Sequence, residues 1–492
     1  MLIRIHLSKH TFSKKILASA LSLLISISPA MGIGSTELPD LGTAAVNTFS
    51  LEKEAIYGDA YMRLIRSSSP VLNDPVLNQY ITELGNKLVA HAQDVKTPFY
   101  FFLIRNDEIN AFAFFGGHVG VHTGLFLNAD NESQLASVLS HEITHVTQRH
   151  LARSLEAQEK TSTATMASML GAILLTIAAP QAGMAALATT QALSTQAKIN
   201  YTRSNEKEAD RLGTQVMVNA GFDPKATASF FAKLAARYRY TTTPPQMLLT
   251  HPLPESRITD ARNRAMQYPN RFVPDNVNFQ LAKARIQVRF SNYSPEAALS
   301  LFEQQLKDKS YTFKNAALYG KALALFRLKK MDESKEIIDT LLAKDKYNVF
   351  YIDTETDLLL EKQEYKIAIK MLLKRQQLKP TSNVINTNLA NAYIEAGEPN
   401  NAIPLLEDLI FLNKDDQIAY SLLETAYKKL NNKAMAYFVK AESLALMADY
   451  KNAIDQLNYA YRFSKGNPLQ LARINARIQQ FKQSEKTLES LK

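Results

Sequence analysis

Two histidines and a glutamate in one short run of the chain could together carry out metal-assisted hydrolysis. His141 and His145 are four residues apart, and Glu142 directly follows the first histidine. Residues four apart lie on one face of an α-helix, so both imidazoles could bind the same metal ion. Glu142 would lie beside them, able to take a proton from a water without binding the metal. The spacing predicts a Zn²⁺ site with Glu142 as general base.

A catalytic zinc site needs a third protein ligand, and the chain has no cysteine to provide one. The acidic run at residues 206–210 contains the best candidates. Glu206 and Asp210 share a helical face, and we assign Glu206 to the metal and Asp210 to orienting a ligand histidine. Asn205 with Glu208 resembles a capping box, which predicts that a helix begins here. The alternative is a solvated acidic helix start without a metal.

The elements that hold these residues are predicted from the spacing of apolar side chains. Residues 53–94 are predicted to be helical, and residues 98–104 are predicted to form a strand. A single amphipathic helix is predicted over residues 132–152, with Asp130 or Asn131 as its N-cap. The proposed metal-binding histidines lie inside this helix.

Two further short strands are predicted at residues 111–114 and 118–122, with a glycine turn between them. We interpret residues 116–122 as a sheet edge that pairs with an extended substrate chain. The substrate-binding residues would be Gly117, His118, Val119 and Gly120. His118, His122 and His150 are interpreted as structural or near substrate. His150 lies five residues after His145 and is expected to point away from the metal.

The N-terminal residues 1–30 have the composition of a secretory signal peptide, with a cut after Ala30 or Gly32. The alternatives are an uncleaved anchor or a buried helix. Residues 164–193 are apolar and uncharged, but Pro180 interrupts them. The uninterrupted apolar run is shorter than a membrane span requires, which favours a buried or interfacial helical hairpin.

The composition of the chain excludes several classes of partner and linkage. The net charge is +10, but no block of consecutive basic residues predicts a nucleic-acid groove. The absence of cysteine excludes disulfides, thiolate metal ligands and a lipoprotein anchor.

The C-terminal part of the chain, residues 277–492, has a repeating helical pattern. Ser334, Ala368 and Ala402 recur every 34 residues, and each lies in a similar sequence frame. This period is typical of tetratricopeptide repeats, whose stacked helix pairs form an α-solenoid. A further copy at Ala453 is out of register. We expect three to five units, and the alternative is a generic helical bundle.

Several motifs together resemble the peptidase family that includes the CaaX prenyl proteases and the HtpX-like membrane proteases. The motifs are HEITH at 141–145, EKEAD at 206–210, NAFA at 110–113, GGHV at 116–119 and THPLPESRI at 250–258. The resemblance implies that Glu206 is the third zinc ligand. It also implies that His251 can occupy the fourth zinc position and keep the enzyme latent. The residues alone favour a simpler explanation, in which His251 is a helix-start histidine held by the following prolines.

The sequence patterns and the resemblance together predict a mainly α fold with three parts. These are a signal peptide at 1–30, a zinc metalloprotease domain at 38–266 and a tetratricopeptide-like repeat domain at 277–492. The protease domain is expected to be an α+β, gluzincin-type domain with a small sheet and the HExxH helix. Two prolines at residues 268–274 mark the boundary before the α-solenoid.

The predicted signal and repeats narrow the resemblance to periplasmic members that act in outer-membrane β-barrel assembly. The implied function is a zinc metalloendopeptidase with chaperone-like activity, which degrades or assists misfolded or stalled outer-membrane proteins. Its repeats would contact the β-barrel assembly machinery, and peripheral contact with the membrane is compatible with this role. The alternative is a repeat-based chaperone or scaffold with a usually latent protease site. A membrane-spanning prenyl protease is disfavoured, because no second spanning segment is found.

Overall fold

The computed structural model describes residues 50–156, 195–239, 247–248, 251–253, 255–270 and 272–489. The predicted signal peptide at 1–30 and the uncharged segment 164–193 lie outside the described residues. The predicted start of the protease domain at residue 38 lies outside them as well. Within these described ranges, no helix has both the length and the hydropathy to cross a membrane.

Helices surround one small sheet in the described residues before position 270. The helices are α1 (Leu51–Ser68), α2 (Pro75–Val89), α3 (Thr123–Asn128), α4 (Glu132–Thr147), α5 (His150–Glu156), α6 (Thr195–Asn219), α7 (Lys225–Tyr238) and α8 (Glu255–Ala265). The strands are β1 (Tyr100–Ile104), β2 (Ala111–Phe114) and β3 (His118–His122). The three predicted extended segments are therefore confirmed.

The predicted helical region at residues 53–94 is divided into two helices. α1 ends at Ser68, and Pro70 follows without a backbone N–H to continue the helix. The side chain of Asp74 then accepts a hydrogen bond from the first turn of α2, which begins with Pro75. The link between the two helices runs beside the end of β1.

The sheet has the strand order β1-β3-β2, with β1 parallel and β2 antiparallel to β3. The prediction that residues 116–122 form a sheet edge is therefore wrong. Both sides of β3 are already paired with neighbouring strands, which leaves no backbone edge for an extended chain. The side of β3 that was predicted to be free pairs with β1, a strand from an earlier part of the chain. The outer strands of the sheet, in the part of the chain that the structure describes, are β1 and β2, and Val71 bridges to Ile104 on the outer side of β1.

The helix with the metal motif, α4, is shorter than predicted. Asn131 caps it, as one of the two predicted candidates, and the helix ends at Thr147. Arg149 then has a left-handed backbone conformation with φ of 51°. This conformation ends the helix, so α5 leaves in a new direction. The prediction of one continuous helix over residues 132–152 is wrong.

The helix with the acidic run, α6, begins at Thr195. The prediction that Asn205 starts this helix is wrong, because Asn205 is a buried residue in its interior. The predicted end is confirmed, since left-handed Gly221 follows the helix with φ of 93°. Asp223 then accepts a hydrogen bond from the backbone N–H of Lys225 at the start of α7.

After residue 272, consecutive helices pack against one another to form the predicted repeat array. The helices are α9 (Val277–Arg289), α10 (Pro295–Asp308), α11 (Lys314–Arg327), α12 (Met331–Lys344), α13 (Val349–Glu361), α14 (Tyr365–Leu378), α15 (Asn383–Glu395), α16 (Pro399–Leu412), α17 (Gln417–Lys429), α18 (Lys433–Ala445), α19 (Tyr450–Phe463) and α20 (Pro468–Glu489). Ser334, Ala368 and Ala402 are all buried between helices. Ala436 continues their 34-residue register in α18 and is also buried.

The repeat helices pack directly on the part of the chain that carries the metal motif. One continuous hydrophobic cluster contains Leu77 of α2 and Leu139 of α4 together with Phe279 and Tyr319 of the repeat array. A second cluster joins Ala60 of α1 to α19 and α20. The two parts on either side of residues 268–274 therefore share a core.

A buried arginine connects the two parts. Arg285 of α9 lies 2.8 Å from Asp74 Oδ2 and 2.7 Å from Asp353 Oδ2. It also donates to the hydroxyl of Tyr319 at 3.0 Å. Asp74 is the N-cap of α2, so the same carboxylate starts a helix and binds the repeat array. Buried charges are tolerated because each has a partner of opposite sign.

We expect Arg285→Met to lower the free energy of unfolding by about 3–5 kcal/mol, because Asp74 and Asp353 would remain buried without the guanidinium that pairs with both. Urea denaturation followed by circular dichroism measures this change. Lys329→Met is the control, because its ion pair with Glu361 is largely exposed and should contribute less than about 1 kcal/mol. Equal losses for the two variants would contradict this account of the buried network.

Candidate metal centre

Three separate segments of the chain bring four potential metal ligands together. α4 provides His141 and His145, and α6 provides Glu206. The short segment before α8 provides His251. One ligand atom from each of these side chains lies within 4.8 Å of the others. The structure thus gathers residues that are distant in sequence at one point.

The spacing of these ligand atoms fits a small tetrahedral ion. The Nε2 atoms of His141 and His145 are 3.0 Å apart, and the Glu206 carboxylate lies 3.3 Å and 3.4 Å from them. His251 Nδ1 is 3.4 Å from His141 Nε2 and 3.0 Å from Glu206 Oε1. Ligand atoms placed about 2.0 Å from a tetrahedral ion are about 3.3 Å apart. Three imidazoles and one carboxylate are also donors that zinc accepts.

Glu142 lies beside the ligand group and is almost completely buried. Its Oε1 is 3.4 Å from His251 Nε2 and makes no hydrogen bond to a described residue. Burial raises the pKa of Glu142 above its ordinary value. A buried carboxylate with a raised pKa and an uncommitted oxygen is suited to accept and return a proton.

Asp210 lies behind the first ligand histidine, at the position predicted for it. Its Oδ1 is 3.0 Å from His141 Nδ1, which leaves Nε2 to face the ligand group. Burial opposes ionisation of Asp210, but hydrogen bonds with His141 and Arg257 outweigh it and lower the pKa of this carboxyl. The carboxylate is therefore available to hold the imidazole.

Arg257 is part of this site, although sequence reasoning gave it no role. From α8 it donates to both carboxylate oxygens of Asp210, at 2.7 Å and 2.8 Å. Its Nη1 also lies 2.9 Å from Glu206 Oε2. The planar guanidinium suits this two-pronged contact. The motif at residues 250–258 includes Arg257, but the packing of α8 against α6 that defines its partners is long-range.

His150 lies behind the second ligand histidine and outside the group of potential ligands, so only the expectation that it diverges from His145 is wrong. Its Nδ1 is 2.9 Å from His145 Nδ1, and its Nε2 is 3.1 Å from Glu208 Oε2. The prediction assumed a continuous helix, in which residues five apart diverge. The left-handed turn at Arg149 instead returns His150 to His145. Glu208, expected to cap a helix, is the partner of His150.

The predicted substrate-binding residues are enclosed in the sheet and do not reach the ligand group. All four are buried: Gly117, His118, Val119 and Gly120. The ring of His118 stacks against those of Tyr100 and Phe114, at centroid distances of 5.0 Å and 4.9 Å. A Cβ atom at Gly117 would lie 1.9 Å from the carbonyl oxygen of Pro98. These residues build the sheet, and the edge on which their predicted role depended does not exist.

The histidines of β3 are buried and lie outside the ligand group. Burial lowers the pKa of His118, and it lowers the pKa of His122 to about 4. Both side chains are therefore uncharged at neutral pH. This agrees with the interpretation of these two residues as structural.

A helix that presents two histidines and a base to a buried carboxylate, beside a small sheet, defines a metal-dependent peptidase. The protein-family model described as peptidase family M48 matches residues 75–265, which contain the whole ligand group. A protein from Vibrio cholerae described as a putative beta-barrel assembly-enhancing protease is 46% identical over 444 residues. The match covers 90% of this chain and 92% of that protein. The chain belongs to peptidase family M48 and is a metalloendopeptidase.

The chain has two further similarities to known proteins. A beta-barrel assembly-enhancing protease from Escherichia coli K12 is 46% identical over 457 residues, covering 93% of each chain. Among solved structures, a tetratricopeptide repeat protein from Parabacteroides merdae is 15% identical, with a TM-score of 0.29. It covers 53% of this chain and 98% of its own length.

We expect Arg257→Met to weaken zinc binding about 10- to 100-fold, because Glu206 and Asp210 would lose the group that holds them in place. Competition with a chromophoric chelator measures this affinity. Arg262→Met is the matched control, since Arg262 is exposed on the same helix. Unchanged zinc affinity in a folded Arg257→Met variant would show that Arg257 does not position the ligands.

Proposed function

We propose that the chain binds one zinc ion through His141, His145 and Glu206 and uses it to hydrolyse peptide bonds. The convergence of these side chains beside Glu142 is the observation that carries the proposal. When bound, zinc would polarise the scissile carbonyl and make a water molecule more acidic. In this proposal Asp210 fixes the tautomer and orientation of His141.

Glu142 acts as the general base in this proposal. Its carboxylate takes a proton from the attacking water and returns it to the leaving amine nitrogen as the peptide C–N bond breaks. The burial that raises the pKa of Glu142 favours the protonated form that this second transfer needs. One side chain can therefore serve both steps without a separate acid.

His251 is proposed to keep the site closed in the resting protein. Its ring lies 3.0 Å from Glu206 and 3.4 Å from Glu142. An attacking water must reach this same space between the ligands and the base, so the ring has to leave before hydrolysis. An explanation of His251 as a helix-start residue held by prolines does not account for these contacts.

The proposed substrates are misfolded or stalled outer-membrane β-barrel proteins in the periplasm. Support comes from the relatives described as beta-barrel assembly-enhancing proteases and from the signal-like composition of residues 1–30. In this proposal residues 38–266 form the protease domain. Residues 277–492 form the repeat domain that contacts the β-barrel assembly machinery, because a solenoid offers an extended surface to partners. Peripheral membrane contact is compatible with this location.

An extended substrate would pair with β2 in this proposal. One side of β2 pairs with β3, and no strand among the described residues occupies its other side. α4, which carries the metal motif, packs against β2. Strand addition at β2 would hold a peptide by its backbone close to the ligand group.

A second candidate function is a chaperone or scaffold whose repeats do the main work while the protease site stays closed. It is favoured by large apolar side chains that the repeats leave in solvent. Phe411 is 82% exposed and Leu412 is 72% exposed, side by side at the end of α16. Adjacent exposed apolar residues are typical of protein interaction sites.

We expect Glu142→Gln to lower the rate of hydrolysis of an unfolded β-barrel protein about 10²- to 10⁴-fold, because the general base is lost. Gel electrophoresis of timed samples measures the rate, and zinc content should be unchanged. Glu255→Gln, at an exposed position near the site, is the control. Full degradation by a folded Glu142→Gln variant would contradict the proposed mechanism, whereas no degradation by the parent protein would favour the chaperone alternative.

We expect His251→Ala to raise the rate of hydrolysis several-fold, because the ring would no longer fill the space that water must enter. The same gel assay measures this, with zinc content determined in parallel. His91→Ala replaces an exposed histidine and should leave the rate unchanged. An unchanged or lower rate in folded, zinc-loaded His251→Ala would remove the closed-site proposal.

A further inference from the structure

A cavity of about 740 Å³ lies between the outer edge of β1 and the repeat array. One wall consists of β1 and the adjoining faces of α1 and α2. The opposite wall consists of the turns that precede α15 and α17. None of the proposed metal ligands lines this cavity, and its volume falls in the range of roughly 300–1,000 Å³ that is usual for ligand sites.

The backbone of β1 has unused hydrogen-bonding groups on the side of this cavity. Alternate residues of a strand direct their N–H and C=O groups to opposite sides. The C=O of Leu103 accepts from the N–H of Leu72, on the side away from β3. The N–H and C=O of Phe101 therefore face that side too. No backbone group of a described residue pairs with them there, and Phe101 lines the cavity.

Two polar side chains that line the same cavity, Arg66 and Asn78, each have one buried polar atom with no hydrogen-bond partner among the described residues. The Arg66 side chain is only 8% exposed, and its Nη2 lies 2.8 Å from Asp415 Oδ2. Its Nη1 is buried and has no hydrogen-bond partner among the described residues. The same is true of Asn78 Oδ1 on α2. Buried polar atoms are nearly always paired, and a small rotation of either side chain toward the cavity would let a ligand that both accepts and donates pair with these two atoms.

These features match an extended polypeptide better than a small charged ligand. A peptide backbone supplies C=O groups for Arg66 and N–H groups for Asn78, and its remaining groups can pair with Phe101. The charge of Arg66 is already balanced by Asp415, so the site does not call for an anion. The aromatic ring of Tyr100, at the end of β1, offers an apolar surface to a side chain of the peptide.

We propose that this cavity binds an extended, uncharged polypeptide segment with alternating apolar side chains, which pairs with β1 at Phe101, before the residues that already pair with Val71 and Leu72. The two walls are already joined by the Arg66–Asp415 pair and by a hydrogen bond from Asn73 to Gln417 at 2.8 Å. A bound segment therefore contacts the sheet and the repeat array together, at a place separate from the metal ligands. Strands of outer-membrane barrels have this alternating pattern. The proposal that barrel strands are the natural ligand rests on the proposed function. Binding of a peptide at β1 does not require the metal centre.

Disulfide trapping tests the site directly, because the full chain has no cysteine of its own. In the full chain with Glu142→Gln, one cysteine is introduced by Tyr100→Cys, at a residue of the cavity that is 47% exposed. The control is Tyr293→Cys, at a residue outside the cavity that is 46% exposed. The ligand is a short synthetic peptide of alternating valine and threonine with one central cysteine. We expect trapping at Tyr100→Cys to be about tenfold faster than at Tyr293→Cys.

A second peptide tests whether the backbone is recognised. N-methylation of alternate residues removes the N–H groups that a strand needs, and should slow trapping at Tyr100→Cys about tenfold. Equal trapping of both peptides would overturn strand addition. Equal trapping at Tyr100→Cys and Tyr293→Cys would overturn the site itself.

The same design separates this proposal from the proposed protease function. Hydrolysis of a β-barrel protein is measured in the cysteine variants that retain Glu142. Specific trapping without any hydrolysis would contradict only the protease function and would support the cavity site. Hydrolysis without specific trapping would contradict only the cavity site.

Discussion

The metal centre depends on bringing one buried carboxylate and three imidazoles to a single point. The oxygens of Glu206 lie within 3.4 Å of His141, His145 and His251. Burial opposes ionisation of this carboxyl, but the nearby histidines hold the pKa of Glu206 well below its ordinary value. A charge buried this deeply is costly unless it is paired from several sides. Arg257 provides one such partner, and a bound zinc ion would provide the strongest.

The end of α4 at Thr147 is a second feature that serves the ligand histidines. A continuous helix would carry His150 away from His145, whereas the left-handed conformation of Arg149 returns it. The side chain of Arg149 also forms a buried ion pair with Glu54 of α1, with Nη2 2.6 Å from Oε1. The backbone turn and the buried pair act together. They connect the outer side of a ligand histidine to the first helix of the described chain.

Sequence reasoning succeeded where function depends on local regularity. The helical spacing of His141 and His145 predicted their common face with Glu142 beside them, and the 34-residue period predicted the buried small residues of the repeat array. The spacing of four residues also predicted that Asp210 shares a helical face with Glu206. These predictions need only the period of a helix or of a repeat, and neighbouring residues determine both.

The predictions failed where distant segments decide the structure. The central position of β3 depends on its pairing with β1, and the role of Arg257 depends on the packing of α8 against α6. The expected helix start at Asn205 was wrong because a capping pattern inside a longer helix has the same sequence as a true cap. Glu206 was found from its acidic surroundings and from family resemblance. Its burial among histidines could not be derived from spacing.

Metal analysis of the full chain and of its Glu206→Gln variant is the most direct test of the central claim. The account predicts one zinc ion per chain in the parent protein and in the Glu255→Gln control. It predicts a large loss of zinc from Glu206→Gln, because the site would lose its only carboxylate ligand and keep three histidines. Full zinc content in a folded Glu206→Gln variant would contradict the proposed ligand set.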